Sequence, residues 1–246
     1  MSKLQASGRL IGVGVGPGDP ELMTLKATRA LADADLVVHF AKNGSASQAR
    51  AIAAGHLKAG TRELPLFYPM TSEQPRDGNC YREAMREFYD GAAATLATHL
   101  DAGRAVAVIC EGDPLFYGSY MHLHVRLAPR YPTQVIAGVT GMSGCWSAAG
   151  TPIAQGDDVF MVLPATLPEP ELERRLKDTD AAVVMKLGRH LPKIRRTLAR
   201  VGRLERAIYV ERGSTAAAVM VRLADKGDDD APYFAIVLVP GWEGRA

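Results

Sequence analysis

The chain has few of the residues that staple a small fold. Its 246 residues hold three cysteines, Cys80, Cys110 and Cys145. They are odd in number and far apart, with no CxxC or Cys/His spacing, so neither a disulfide framework nor a structural zinc site is expected. Cys110 and Cys145 sit in apolar stretches and read as small buried hydrophobes. Long apolar runs are also missing. Runs such as residues 105–110 and 234–239 are far too short to span a bilayer, and residues 1–9 lack the apolar centre of a signal peptide. Charge of one sign is not in excess either. The 29 basic and 27 acidic residues leave a net of +2, which gives no long-range field for wrapping a nucleic-acid backbone. No internal repeat or heptad is present. These absences predict a soluble, cytoplasmic protein from a reducing compartment, with no nucleic-acid partner, no membrane partner and no metal.

What is there is enough apolar residue for a large core, 47% of the chain, arranged in a regular alternation. Short β-type runs lie at residues 10–15, 36–40, 105–110, 134–137, 159–163, 181–187, 207–211 and 234–239. Several are apolar throughout, as in strands covered on both faces. Between them, Thr24 is placed to cap a helix whose Ala27, Ala30, Leu31 and Ala34 share one face. Asn79 is placed to cap a longer one carrying Tyr81, Met85, Phe88, Ala92 and Leu96 on a stripe. Leu191, Ile194, Leu198 and Val201 repeat the pattern. The alternation predicts an α/β fold with largely parallel sheets. A junction near residues 137–140 would divide it into domains of residues 1–138 and 139–246. Residues 71–78 and 225–232 read as exposed loops, the aspartates 228–230 as a solvated turn rather than a metal site.

Three strand-to-helix loops can carry chemistry. The first is Gly12-Val-Gly14-Val-Gly16-Pro-Gly18-Asp-Pro20, where glycines let the chain turn sharply and let a ligand approach the backbone. A dinucleotide loop needs GxGxxG, but counting from Gly12 puts Pro17 at the last position, and counting from Gly14 puts Asp19 there. No Gly-Lys-Ser/Thr follows, so a phosphate-binding P-loop fails too. By itself this loop is as consistent with a tight turn as with a ligand site. The second is Glu111-Gly-Asp-Pro-Leu-Phe-Tyr-Gly118, directly after a buried strand, where parallel sheets bind ligands. Asp113-Pro can simply turn, yet two acids, two aromatics and two glycines favour an adenosine- or amine-bearing ligand. The third is Gly138-Val-Thr-Gly-Met-Ser-Gly144, whose small hydroxyl residues suit capping and ligand binding equally.

In order, the three loops resemble the tetrapyrrole (corrin and porphyrin) methylases, over nearly the whole chain. The Leu-Met-Thr-Leu-Lys-Ala27 stretch, Val183-Val-Met-Lys-Leu187, Tyr209-Val-Glu-Arg-Gly-Ser214 and Tyr233-Phe-Ala-Ile-Val-Leu-Val239 fit as well. Within that family, residues 38–44, 49–57 and Phe67-Tyr-Pro-Met-Thr-Ser-Glu73 are similar to the branch that methylates C20 of precorrin-2 in cobalamin assembly. The resemblance implies two α/β domains, mostly parallel or mixed in their sheets, with the active-site cleft between them, working as a homodimer. The implied methyl donor is S-adenosyl-L-methionine, with S-adenosyl-L-homocysteine as product and a tetrapyrrole, precorrin-2, as acceptor. Cofactor contacts are implied at Pro17, Glu111, Gly112, Asp113, Phe116, Thr140 and Gly141, at Met185 or Lys186, and at Gly213 and Ser214. Uroporphyrinogen-III methylases carry an aspartate after the second strand, proposed as a base; Phe40 stands here instead.

No catalytic base follows from the sequence. His39, Glu111 and Tyr117 are the loop-adjacent candidates. Substrate carboxylates call for cations, for which Lys42, Arg50, Arg76, Arg82 and Lys186 are available, each more often a solvated surface residue. His122 and His124, at i, i+2, make a poor metal pair. Rival readings are methylation of another precorrin carbon or of cobalt-precorrin-2, methylation of an RNA ribose, a nicotinamide-dependent oxidoreductase, and a non-catalytic nucleotide-binding module.

Overall fold

The computed structural model describes residues 8–69 and 78–241, residues 78 and 79 by backbone only. The chain divides into two compact units, Met1–Thr140 and Gly141–Ala246. In the first, the strands are β1 (Arg9–Gly14), β2 (Leu36–Lys42), β3 (Glu63–Tyr68), β4 (Ala105–Cys110) and β5 (Thr133–Ile136). They form one sheet in the order β3-β2-β4-β1-β5, and every pairing in it is parallel. Strand alternation sorts the side chains into two cores. Leu10, Leu36, Val38, Val106 and Val108 face α3 (Gly78–Asp101) and α4 (Tyr120–Leu127). Ile11, Val13, Val37, Ala107 and Ile109 face α1 (Leu25–Ala32) and α2 (Gln48–Ala53). Burial on both faces is why these strands are apolar without interruption.

In the second unit, β6 (Phe160–Pro164), β7 (Ala181–Met185), β8 (Ile208–Glu211), β9 (Val219–Arg222) and β10 (Ala235–Val239) form a sheet ordered β6-β7-β10-β8-β9. Only β6 and β7 pair in parallel; the other pairings are antiparallel. This sheet is therefore mixed. Because β10 runs against both neighbours, β7 and β8 point the same way, and Val184 and Tyr209 lie level, each opposite Val237. One face packs on α5 (Gly141–Ala148) through Cys145, Met142 and Trp146. The other packs on α6 (Glu169–Lys177) and α7 (Leu191–Arg200). Among the described residues no helix is long and apolar enough to cross a membrane.

Several local expectations are adjusted by the structure. Thr24 does cap α1, its Oγ1 accepting from the Ala27 amide at 3.1 Å, but the helix ends at Ala32, short of Ala34. The backbone of α3 is already helical at Gly78, so Asn79 lies inside the first turn rather than at the cap, and Gly78 belongs to the helix rather than to the preceding loop. The rest of that expected loop, residues 71–77, lies outside the described residues, as does Arg76. The strand expected at 181–187 stops at Met185, because Lys186 adopts a φ of 60°. In the 225–232 segment Asp228 is held by Lys226 and Asp229 by Arg195, at 3.2 Å.

Candidate active site

The carboxyl ends of β1, β4 and β5 are level, Val13 lying opposite both Ile109 and Ile136. The three loops that leave them touch through their backbones. A Cβ added at Gly14 would lie 2.6 Å from the Gly112 oxygen and from Gly138 Cα, and one added at Gly138 would lie 2.0 Å from the Gly112 oxygen. Two main-chain bonds fix the crossing: the Val15 amide donates to the Cys110 carbonyl at 2.9 Å, and the Gly112 amide to the Gly16 carbonyl at 2.7 Å. The glycines that in sequence suggested room for a ligand are here required by the chain itself. The loop then closes with Asp19 capping the turn Pro20–Leu22 through the Glu21 amide, 2.9 Å, leaving Pro17 half-buried at its bend.

Asp113 is turned inward. Its Oδ1 accepts from the Leu115 amide at 2.9 Å and its Oδ2 from the Gly138 amide at 3.1 Å. The first bond shapes its own turn, and the second ties the loop after β4 to the loop after β5. Glu111 differs. It keeps an exposed surface, while its Oε1 accepts from the Ala49 amide in the first turn of α2 at 3.0 Å. The protein around the carboxyl raises its pKa by desolvation, and the Ala49 amide pulls the other way. Beyond it, Phe116 packs edge-on against Tyr117, with centroids 4.9 Å apart and planes at 73°. Tyr117 itself is 49% exposed.

In the second unit the expected residues again lie at strand ends. Met185 closes β7 and packs among the residues under α5, whereas Lys186 is exposed. Thr140, the last residue of the first unit, is half-buried, and Gly141 opens α5 with free space where a side chain would be. Gly213 is buried: a Cβ there would lie 2.8 Å from Cys145 Sγ. Its amide hydrogen-bonds that sulfur, yet burial still pushes the thiol up to about 11. Ser214 carries a buried Oγ with no hydrogen-bond partner among the described residues. An orphaned hydroxyl is costly unless something completes it.

Backbone strain marks the same places. Among the described residues, three non-glycines have positive φ: Tyr117 (55°), Lys186 (60°) and Arg212 (49°). Tyr117 lies in the loop between β4 and α4, and Lys186 and Arg212 directly follow β7 and β8. Strain of this kind persists where the surroundings impose it, and it concentrates at binding sites.

The base candidates separate. His39 lies on β2 against the α2 side of the sheet, 9% exposed. Its Nε2 stands 3.7 Å from Glu63, whose carboxylate is already forked by Arg50 at 2.6 and 3.0 Å. Burial lowers the imidazole's pKa, Glu63 opposes this, and Arg50 adds to it. His39 is thus a neutral core residue, and its Nδ1 has no partner among the described residues. Phe40 belongs to the opposite core and stacks on Tyr68, centroids 5.6 Å apart and planes at 13°. Arg50 is spent on Glu63; Lys42 ends β2 and Arg82 lies in α3. His122 stacks on Tyr89 and His124 bonds Tyr120, so the two diverge. Three residues went unforeseen: Tyr68, Tyr89 and Ser119, whose hydroxyls meet at 2.5 and 3.2 Å. No spacing rule would have joined them, since they come from β3, α3 and the start of α4.

The first unit offers an exposed and a half-buried aromatic residue and an exposed glutamate in the loop after β4, and the second an orphaned hydroxyl beyond β8, with no group of three metal ligands among the described residues. Comparison with known proteins agrees with these features. The profile described as Tetrapyrrole (Corrin/Porphyrin) Methylases matches residues 9–225. A precorrin-2 C(20)-methyltransferase from Sinorhizobium sp is 60% identical over 238 residues, 97% of this chain and 97% of that protein. A cobalt-precorrin-2 C(20)-methyltransferase from Salmonella typhimurium is 28% identical, covering 96% of this chain and 98% of that one. The solved uroporphyrin-III C-methyltransferase from Thermus thermophilus, in complex with S-adenosyl homocysteine, superposes with a TM-score of 0.65 at 25% identity, covering 95% of this chain and 92% of that one. The chain belongs to the tetrapyrrole (corrin/porphyrin) methylases.

Proposed function

We propose that this protein transfers a methyl group from S-adenosylmethionine to C20 of precorrin-2, giving precorrin-3A in cobalamin assembly. The observation that carries the reading is the 60% identity, across 97% of both chains, to a methyltransferase of that acceptor position. The relative named for the cobalt-bound acceptor is 28% identical, which favours the metal-free substrate. The protein acts as a cytoplasmic homodimer, the state the family resemblance suggests.

When bound, S-adenosylmethionine supplies an electrophilic methyl on a sulfonium centre. The residues present fit such a group. Glu111 is an exposed acidic residue beside a cationic ligand's place, Phe116 and Tyr117 offer aromatic surface, and Ser214 has a hydroxyl to give. We assign cofactor contacts to Pro17, Glu111, Gly112, Phe116, Thr140 and Gly141 in sequence order, then Met185, Lys186 and Ser214. Asp113 and Gly213 serve by shape: the first ties two loops together, and the second lets α5 pack closely. What these residues contribute is alignment of donor and acceptor and exclusion of water. Of the base candidates, Glu111 and Tyr117 remain at the loop; His39 is enclosed in the core.

The test offers the purified protein S-adenosylmethionine with precorrin-2, cobalt-precorrin-2 and uroporphyrinogen III. Mass and carbon NMR then locate any new methyl. Transfer to C20 of precorrin-2 is expected. Transfer to none of them, with no binding of S-adenosylhomocysteine, would overturn the reading.

A further inference from the structure

The loop that runs from Glu111 to Gly118 is held in an unfavourable shape. Tyr117 carries a left-handed φ of 55°. At Gly118 a Cβ would lie 2.8 Å from the Pro114 oxygen. Ser119 follows at the N-cap of α4, but its φ of −64° and ψ of −22° are helical and its side chain caps nothing. Capping needs an extended residue there, so this serine forgoes the usual role of its type. Its hydroxyl is taken instead by two phenols: Tyr68 at 2.5 Å and Tyr89, which donates to it, at 3.2 Å.

Those phenols are firmly seated. The Tyr68 ring stacks on Phe40, and the Tyr89 ring lies parallel to His122, with centroids 4.1 Å apart. Burial raises the pKa of both, so both remain neutral hydroxyls across any working pH. One comes from the end of β3 and the other from α3, so the loop is fastened from outside itself. At its other end Asp113 fastens it to Gly138. Between the two fastenings lie Phe116 and Tyr117.

We propose that Tyr68 and Tyr89, acting through the Ser119 hydroxyl, are positioning residues that hold the Glu111–Gly118 loop in its cofactor-binding shape. The inference rests on the reading of that loop as a cofactor contact. It also gives a physical role to Tyr68, which lies in the segment that marked the C20 branch in sequence. The rival account is that the three hydroxyls merely satisfy one another under the surface, in which case removing one would change stability and leave ligand affinity alone.

The two accounts part in the full-length variants Tyr68→Phe, Ser119→Ala, Ser119→Thr and the Tyr68→Phe/Ser119→Ala pair. S-adenosylhomocysteine affinity is read by calorimetry, KM and kcat by methyl transfer to precorrin-2, and stability by thermal melting. Loss of one such bond should weaken S-adenosylhomocysteine binding, and raise KM for S-adenosylmethionine, by about 3- to 10-fold, while kcat moves much less. Ser119→Thr keeps the hydroxyl and should bind like the parent. The pair should bind no more weakly than its weaker member, since both changes remove the same link. A folded Tyr68→Phe protein with unchanged affinity and KM overturns the inference, whatever its melting temperature. If Ser119→Ala does not fold, Tyr68→Phe decides alone, because it keeps the ring and removes one oxygen. A parent protein that binds no S-adenosylhomocysteine overturns the cofactor reading and this inference together; a binding parent with unaltered variants overturns only this one.

Discussion

The two units solve the same problem, a sharp exit from a strand, in different ways. In the first, Gly14 and Gly138 meet the Gly112 carbonyl, where a Cβ on either would strike backbone. In the second, the exits from β7 and β8 are made by Lys186 and Arg212, which hold left-handed φ values despite their side chains. Glycine stands where main chains must touch. At Lys186 and Arg212 a side chain is kept despite the left-handed backbone, as expected where the side chain itself has a role.

The comparison can be broken in three places. The largest effect should come from Gly138→Ala, because the atoms it would strike are backbone and cannot swing aside. We expect a loss of about 3 kcal/mol or more, read by urea unfolding; a fully stable variant would mean that the crossing relaxes easily. A smaller and opposite effect should follow from Lys186→Gly. Removing the left-handed strain should raise stability by about 1 kcal/mol, while S-adenosylhomocysteine affinity falls. A gain in stability with affinity intact would show that the side chain has no part in the site.

The smallest effect concerns acid. His39, His99 and His122, all in the first unit, have pKa values lowered chiefly by burial. Their folded pKa lies below the unfolded value of about 6.5, so the unfolded chain binds more protons between the two. Stability is then full above that value and declines as pH falls below it. In the second unit Glu171 is held down to about 2 by Arg174 and Arg175, so its contribution is lost only in far stronger acid. Near pH 5.5, about one unit below the unfolded imidazole value, amide exchange should quicken in β2 before it does in α6. His39→Gln should flatten the difference. Equal quickening in both units would remove the contrast.

Much of this fold was legible because burial writes itself into strands. Residues 105–110 are apolar throughout since both faces of β4 are covered, and Thr24 was readable because its cap is local. Edge elements were not. β3 contains Pro65 and borders its sheet, and β9 borders the other and is largely exposed, so neither is apolar on account of being covered on both faces. α6 was hidden by its charge, with only Leu172 and Leu176 buried. At the site, the loops were legible as motifs, but the partners of their residues were not. Asp113 looked like a ligand-facing acid and faces Gly138; His39 looked loop-adjacent and lies in the core. Such facts depend on contacts between residues distant in the chain, which spacing does not encode.

The crossing of Gly14, Gly112 and Gly138 also bears on when the site comes into being. Its three strands are separated by most of the first unit's length, so closing it carries the loop entropy of a long-range contact. During synthesis β1 emerges first but cannot complete the crossing until the chain beyond β5 has left the ribosome. The glycine-rich opening is therefore the earliest part of the site to be made and among the last to be finished.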